Sequence, residues 1–435
     1  MEKSVRIFKI ICAMTGLIYG QNMETFRLDS ILQQYGEFGG RLVFINESKD
    51  FVLENDKKTV DEIFIKDGTI IRKQVIQKMF TPLKGAHSIP TAENILAAVR
   101  TSYPFIANRT QLHYGRLEDK KLGVLVDLES NFNSHFSGIA GVGKQDNESW
   151  GVAGELNIHL ENAWQTATTT DLIWKKNEGA SQYILFSHKD PYPFSLPFGT
   201  KVEFVQDLRE DEYVHTITKG AFSVRLNNQG LWYFGGNREE LSPTVVGDSM
   251  GISSFSSESI SMEYIGDARN DRWLPTKGLF WHLQGEAGIA TIIQKSLSYR
   301  FDLIFDKLFY LNEKFSLQTQ FWNRAVWNEG NASVHEGQFI RYGGHNSLRG
   351  FQEDIFKSDF VSISNFNLLF VPSRMLHLYA FTDIAFDKKF DFKFSSGLGM
   401  RQKTKYSVME ISFGWPMEEA FSRGKVHVKF TSLLD

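Results

Sequence analysis

The stretch RYGGHNSLRGF, residues 341–351, gathers side chains capable of chemistry in a glycine-rich setting. His345 and Ser347 stand two residues apart and are the types a hydrolase uses as base and nucleophile. A hydrolytic set also needs an acid to orient the histidine, and no serine–histidine–acid set or carboxylate pair accompanies them. His345 is therefore read as a loop hydrogen-bonder, and no catalytic residue is expected. Arg349 is the other candidate, a permanent cation between Leu348 and Gly350. Its planar fork can hold a carboxylate through two parallel, charge-assisted bonds. Gly343, Gly344 and Gly350 allow such a loop to turn and to approach a wall where a Cβ would clash. Phe351 can anchor beside the cation. The competing reading is an arginine exposed on an external loop. No phosphate-cradling loop and no metal-ligand spacing occurs in the chain, so neither a cofactor nor a metal is implied.

What positions this loop has to follow from the whole chain. Its 435 residues carry a formal net charge of -3, which excludes a polybasic nucleic-acid binder. The 37 Phe and 9 Trp coexist with a mean hydropathy of -0.26. That combination suits strands alternating aromatic and polar residues better than a soluble α/β enzyme. Residues 1–20 have a basic flank (Lys3, Arg6, Lys9), a short apolar run and a small residue at the end. This is the shape of a secretory signal peptide, and the run is too short for a transmembrane helix. The single cysteine, Cys12, lies inside it, so neither a disulfide framework nor a thiolate metal site is expected beyond it.

Residues 21–58 predict a short helix near 29–35 and a small hairpin turning at NESKD, a segment read as a partial module. Residues 59–130 predict strand, helix, helix, strand, strand, a small α+β domain with Thr91 as the cap of its second helix. From 131 to 435 helical periodicity vanishes. About 16 strands follow, each long enough to cross a membrane at a tilt. In KFSLQTQFW, for example, Phe315, Leu317, Thr319 and Phe321 fit a lipid-facing side, and Ser316, Gln318 and Gln320 a lumenal one. An even strand number allows closure with both ends on one side. The expected fold is an all-β transmembrane barrel preceded by the α+β domain. A soluble β-sandwich would explain the alternation, but not the aromatic strand ends or the export signal.

RYGGHNSLRGF lies in the longest gap between strong strands, and it resembles the loop hallmark, (V/I/L)RG(F/Y) preceded by GG, of the outer-membrane-protein-85 superfamily, the BamA/TamA and surface-antigen barrels. DARNDRWLPTKG, residues 267–278, is similar to that family's D-x-R to P-T-x-G turn. FTDIA, residues 381–385, is similar to its F-x-D-x-G strand, with Ala385 where glycine is usual. Residues 59–130 resemble one POTRA domain. The resemblance implies that the loop folds back into the lumen and that Arg349 pairs with Asp383 on the barrel wall. Where assembly factors often add a glutamate, this chain has Asn365 and Asn367, so a pair rather than a triad is expected. It also implies an outer-membrane location with the N-terminal domain in the periplasm.

The first strand, FNSHFSGIAGVGK, contains Gly138, Gly141 and Gly143. These either weaken a seam between first and last strands or relieve crowding on a curved wall. A weak seam that opens would expose backbone groups able to template an incoming strand. The leading functional reading is a non-enzymatic barrel that inserts, assembles or translocates polypeptides. Its partners would be unfolded outer-membrane or secreted polypeptide, the lipid bilayer and a periplasmic or lipoprotein accessory, with no nucleic acid. The alternative is a two-partner-secretion pore for a dedicated protein, and further off stands a passive porin or barrel enzyme. For the N-terminal domain, residues 111–116 or 121–127 are the expected sheet edges for binding a chain segment.

Overall fold

The computed structural model describes residues 40–45, 50–55, 58–117, 121–144, 150–176, 181–226, 229–330, 333–389 and 391–434. The expected signal peptide and the helix near 29–35 lie outside them. A hairpin of β1 (Gly40–Ile45) and β2 (Asp50–Asn55) pairs Leu42 with Leu53 and Val43 with Val52.

The chain divides into two compact units. The first is built on β3 (Glu62–Ile65), α1 (Lys73–Phe80), α2 (Ile89–Ser102), β4 (Gln111–Arg116) and β5 (Leu122–Asp127). Its sheet order is β3-β5-β4, with β3 parallel and β4 antiparallel to β5. Apolar residues at helical spacing, among them Ile76, Met79 and Phe80 of α1 and Ala92, Leu96 and Val99 of α2, are buried, as are Val124 and Val126 of β5. Two expectations are corrected here. Ser88, not Thr91, caps α2: its hydroxyl accepts from the Thr91 backbone N–H at 3.2 Å, which moves the helix start ahead of Pro90 and leaves that ring in the first turn, where its missing N–H costs nothing. The segment 121–127 is no edge, because β5 is the central strand; β3 and β4 are the edges.

The second unit is a closed antiparallel barrel of 16 strands. Its first half is β6 (His135–Lys144), β7 (Trp150–Glu161), β8 (Thr169–Lys176), β9 (Gln182–Asp190), β10 (Gly199–Arg209), β11 (Tyr213–Val224), β12 (Leu231–Pro243) and β13 (Phe255–Asp267). A short α3 (Val245–Ser249) lies in the β12–β13 loop. The wall continues with β14 (Gly278–Thr291), β15 (Lys295–Tyr310) and β16 (Phe315–Asn328). The hairpin of β17 (Ile340–Tyr342) and β18 (Phe356–Ser358) interrupts it before β19 (Phe360–Ser373). Then β20 (Leu376–Asp387), β21 (Phe392–Lys403), β22 (Ser407–Pro416) and β23 (Lys425–Leu433) complete it.

Period-two alternation decides which side chains point where. Along β15, Ser298 and Asp306 are buried while Leu297, Phe301, Phe305 and Phe309 are exposed, so acids and hydroxyls line the lumen and apolar rings face outward. Register partners share a face, which carries the assignment from strand to strand: Phe305 opposes Phe321, and Asp306 opposes Gln320. Aromatic pairs stack near both strand ends, Tyr299 on Trp327 at one and Trp232 on Tyr264 at the other. That is the arrangement of interfacial aromatic belts.

An arginine on the outward face must therefore cost more than one on the inward face. Phe321→Arg should destabilise the folded barrel by about 2–4 kcal/mol if it lies near the bilayer midplane, and Gln320→Arg by far less. Urea unfolding in lipid vesicles measures both. Equal losses would contradict the assignment of faces.

Candidate functional site: the lumenal loop and the barrel seam

The loop between β16 and β19 folds into the lumen because its own sequence turns it there. Gly343, Gly344 and Gly350 all have positive φ, at 127°, 85° and 90°. Ser347 closes the turn, its Oγ accepting from the Gly343 N–H at 2.8 Å and donating to the Gly343 carbonyl at 2.9 Å. Gly350 lies against the wall itself. A Cβ there would sit 3.0 Å from the Trp415 nitrogen, and one on the facing Gly414 would sit 2.9 Å from the Gly350 nitrogen. Two glycine backbones thus meet where side chains would hold loop and wall apart. Leu348 is fully buried in an apolar cluster with Val326, Ile340, Tyr342, Val361, Ile363 and Ala385, and Phe351 packs against it.

This turn delivers Arg349 to Asp383, which has no solvent exposure. Nη2 donates to Asp383 Oδ1 at 2.6 Å and Nε to Oδ2 at 2.8 Å, the two parallel bonds of an arginine–carboxylate fork. The Arg349 backbone N–H adds a third bond to Oδ2 at 3.0 Å. The guanidinium also lies 3.7 Å from the centre of the Phe381 ring. Phe381 and Asp383 are two residues apart on β20, so the strand period puts ring and carboxylate on one face.

The expected pair proves to be a larger assembly. Nη2 of Arg349 also donates to Asn367 Oδ1 at 2.8 Å, and Asn365 donates to the Ser347 carbonyl at 2.9 Å. An amide oxygen accepts from a guanidinium as a carboxylate does, without adding a second buried negative charge. From Asn367 the contacts continue. Its amide donates to Gln318 at 3.1 Å, and Gln318 donates to Asp306 at 2.9 Å. Asp306 stands 3.5 Å from Arg269, which forks onto Asp267 at 2.9 and 2.7 Å. The turn DARNDRWLPTKG and the loop RYGGHNSLRGF are thereby joined by side chains on three strands, β19, β16 and β15. His345 is 3.8 Å from Glu410, and the Glu410 carboxylate is held by Arg401 at 2.8 Å and by the Tyr379 hydroxyl at 2.8 Å. Among the described residues no catalytic set forms around Ser347, whose hydroxyl is spent on Gly343.

The seam is the second feature. β23 pairs with β22 from Ser407↔Ser432 to Gly414↔Lys425. On its other side it pairs with β6 only at Ser432↔Phe136 and Leu433↔His135, and one further bond runs from the Leu434 N–H to the Ser134 carbonyl. β6 by contrast pairs with β7 along its full length from His135↔His159 to Lys144↔Trp150. Gly141 and Gly143 lie opposite Ala153 and Gly151. A Cβ on Gly138 would come to 3.0 Å from the Glu155 carbonyl oxygen, so this glycine serves a close approach of strands.

A sixteen-stranded membrane barrel with an arginine-bearing loop folded into its lumen defines the class of outer-membrane barrels. The chain belongs to the Omp85 superfamily, whose domain matches residues 198–431. Members of this superfamily are in general transporters or assembly proteins rather than enzymes, and they handle polypeptides in membranes. BamA from Haemophilus ducreyi lacking POTRA domains 1–3 is similar at a TM-score of 0.55 and 14% identity, over 98% of this chain and 97% of that one. CdiB from Acinetobacter baumannii is similar at 0.57 and 13%, over 100% and 86%. CdiB from Escherichia coli is similar at 0.58 and 9%, over 99% and 88%. At these identities the likeness is one of fold. No curated protein sequence matches the chain.

Residue-by-residue reasoning left out Asn367, Gln318, Asp306 and the ring of Phe381 as members of the site. Phe381 was open to the period-two argument, since it shares a face with Asp383; the others depend on register between strands.

Arg349 and Asp383 should behave as one unit. Removing either leaves a buried charge without its partner, a loss of about 3–5 kcal/mol. Arg349→Ala and Asp383→Ala should each make the loop sensitive to added protease, and the double variant should be little worse than the worse single one. Arg349→Lys should recover only part of the protection, because an ammonium cannot reproduce the fork. Additive effects would show that the two do not act together.

Proposed function

We propose that this barrel assembles or inserts polypeptides at the outer membrane by opening between β23 and β6, as an assembly factor of the BamA/TamA type. The observation that carries this reading is the contrast in register. Two residue pairs join β23 to β6, while every neighbouring strand pair in the wall is held along most of its length. A strand edge that lacks a partner is a template for another strand, and a short seam is the least costly place to expose one. The lumenal loop supports the same reading, because a filled lumen leaves the wall as the route to the bilayer. The expected role of Arg349, Gly343, Gly344, Leu348, Gly350 and Phe351, with Asp383, is to hold that loop in place while the seam moves. Residues 59–130 are proposed as a POTRA-like domain that delivers chain segments from the periplasm through β3 or β4. A secretion pore for a dedicated protein remains the competing outcome, since the fold is shared with CdiB as well as BamA.

Phe136 and Ser432 are register partners on the lipid-facing side, and cysteines at both positions can be oxidised across the seam. In proteoliposomes, the oxidised protein should keep the altered gel mobility of an unheated barrel yet lose its acceleration of the folding of an unfolded outer-membrane barrel. Reduction should restore it. Full acceleration with the seam oxidised would overturn lateral opening and favour passage through the lumen.

A further inference from the structure

The open edge has a charge as well as a shape. Register places Lys429 opposite Glu410, His427 opposite Ser412 and Lys425 opposite Gly414, so all three lie on the lumenal face of β23 at two-residue spacing. Val426, Val428 and Phe430 alternate with them on the outward face and are exposed. Several other cations on the lumenal wall are matched by acids. Lys201 meets Glu263 at 2.8 Å, Lys219 meets Glu286 at 3.4 Å, Arg300 meets Glu239 at 3.3 Å and Arg324 meets Asp302 at 2.5 Å. Lys425 and Lys429 are exposed and have no ion-pair partner among the described residues, and His427 Nε2 has no hydrogen-bond partner.

The strands on either side do not supply the missing acids. Glu410, the one carboxylate opposite the row, is already held by Arg401 and Tyr379. Residues 136–144 of β6, FSGIAGVGK, contain neither aspartate nor glutamate. Closing the seam on β6 would therefore leave the row unmatched.

We infer that the free edge of β23 takes a strand carrying acidic residues at alternate positions, facing Lys425, His427 and Lys429, with apolar residues between them facing lipid. This rests on the reading that the seam admits a strand, and it names the kind of strand. Residues directly opposite on paired strands share a face, so the period of two that lays out the cations also lays out the acids. Opposite charges at this edge favour the matching partner and repel a basic one.

The test uses the full chain in lipid vesicles with a photo-crosslinking phenylalanine at Val428. The probes are three synthetic peptides of about ten residues, with identical apolar residues at alternate positions and Asp, Asn or Lys at the others. The Asp peptide should be captured roughly five- to tenfold more than the Asn peptide, with the Lys peptide least, and the preference should fade at about 1 M salt. Lys425→Glu with Lys429→Glu should reverse the order. If that variant fails to fold, judged by gel mobility without heating, Lys425→Gln with Lys429→Gln should bring the Asp and Asn peptides to parity. Equal capture of Asp and Asn peptides by the unaltered chain, or an order unmoved by the substitutions, would overturn the charge preference and leave the open seam standing. Capture of none of the three would overturn both.

Discussion

Inside hydrocarbon, a backbone N–H or C=O has no water to bond, so each must find a partner in the protein. That constraint explains most of this chain. It requires strands that close on themselves, and with 16 strands all paired antiparallel both ends of the barrel come to one side. It also makes the junction of β23 with β6 the weakest part of the wall, since only Phe136↔Ser432 and His135↔Leu433 are paired there. A protein that needed only to be stable would extend this pairing. Leaving it short makes chemical sense if another strand completes it.

The lumen answers a different problem. A ring of polar residues facing inward can be hydrated, or it can be satisfied by protein. Here much of it is satisfied by protein. Arg349 enters between two apolar clusters, one around Leu348 and Ile363 and one around Leu308, Leu369, Tyr379 and Phe381. Dehydrated by these neighbours, the cation depends on Asp383, Asn367 and the Phe381 ring for its stability. Because Asn367 continues through Gln318 to Asp306, and Asp306 lies beside Arg269, the loop is tied to β19, β16 and β15 as well as to β20. A rigid side of the barrel and a loosely paired seam coexist in one wall.

Much of this architecture was legible in the sequence. Alternation of rings with acids and hydroxyls in strands such as β15 and β16 is a local signal, and the period of two needs no tertiary information. The glycines around Arg349 were legible for the same reason, since a left-handed turn selects glycine locally. What stayed hidden depends on register. The partnership of Asn367 with Arg349 needs β19 and β20 aligned, and the shortness of the seam arises between strands from opposite ends of the barrel. The cap of α2 was missed for a smaller reason: Ser88 and Thr91 both precede a helical pattern, and Pro90 between them is tolerated inside the first turn. Gly138, Gly141 and Gly143 lie on β6, but Gly138 is explained by its approach to Glu155, and what sets the seam apart is its short pairing.

Amide hydrogen exchange on the barrel in lipid vesicles tests the central claim most directly, because it reads backbone pairing strand by strand. The account predicts fast exchange for the amides of residues 425–431 that point away from β22 and for those of residues 137–144 that point away from β7, against slow exchange throughout β14 and β15. Protection across the seam equal to that of β14 and β15 would contradict it.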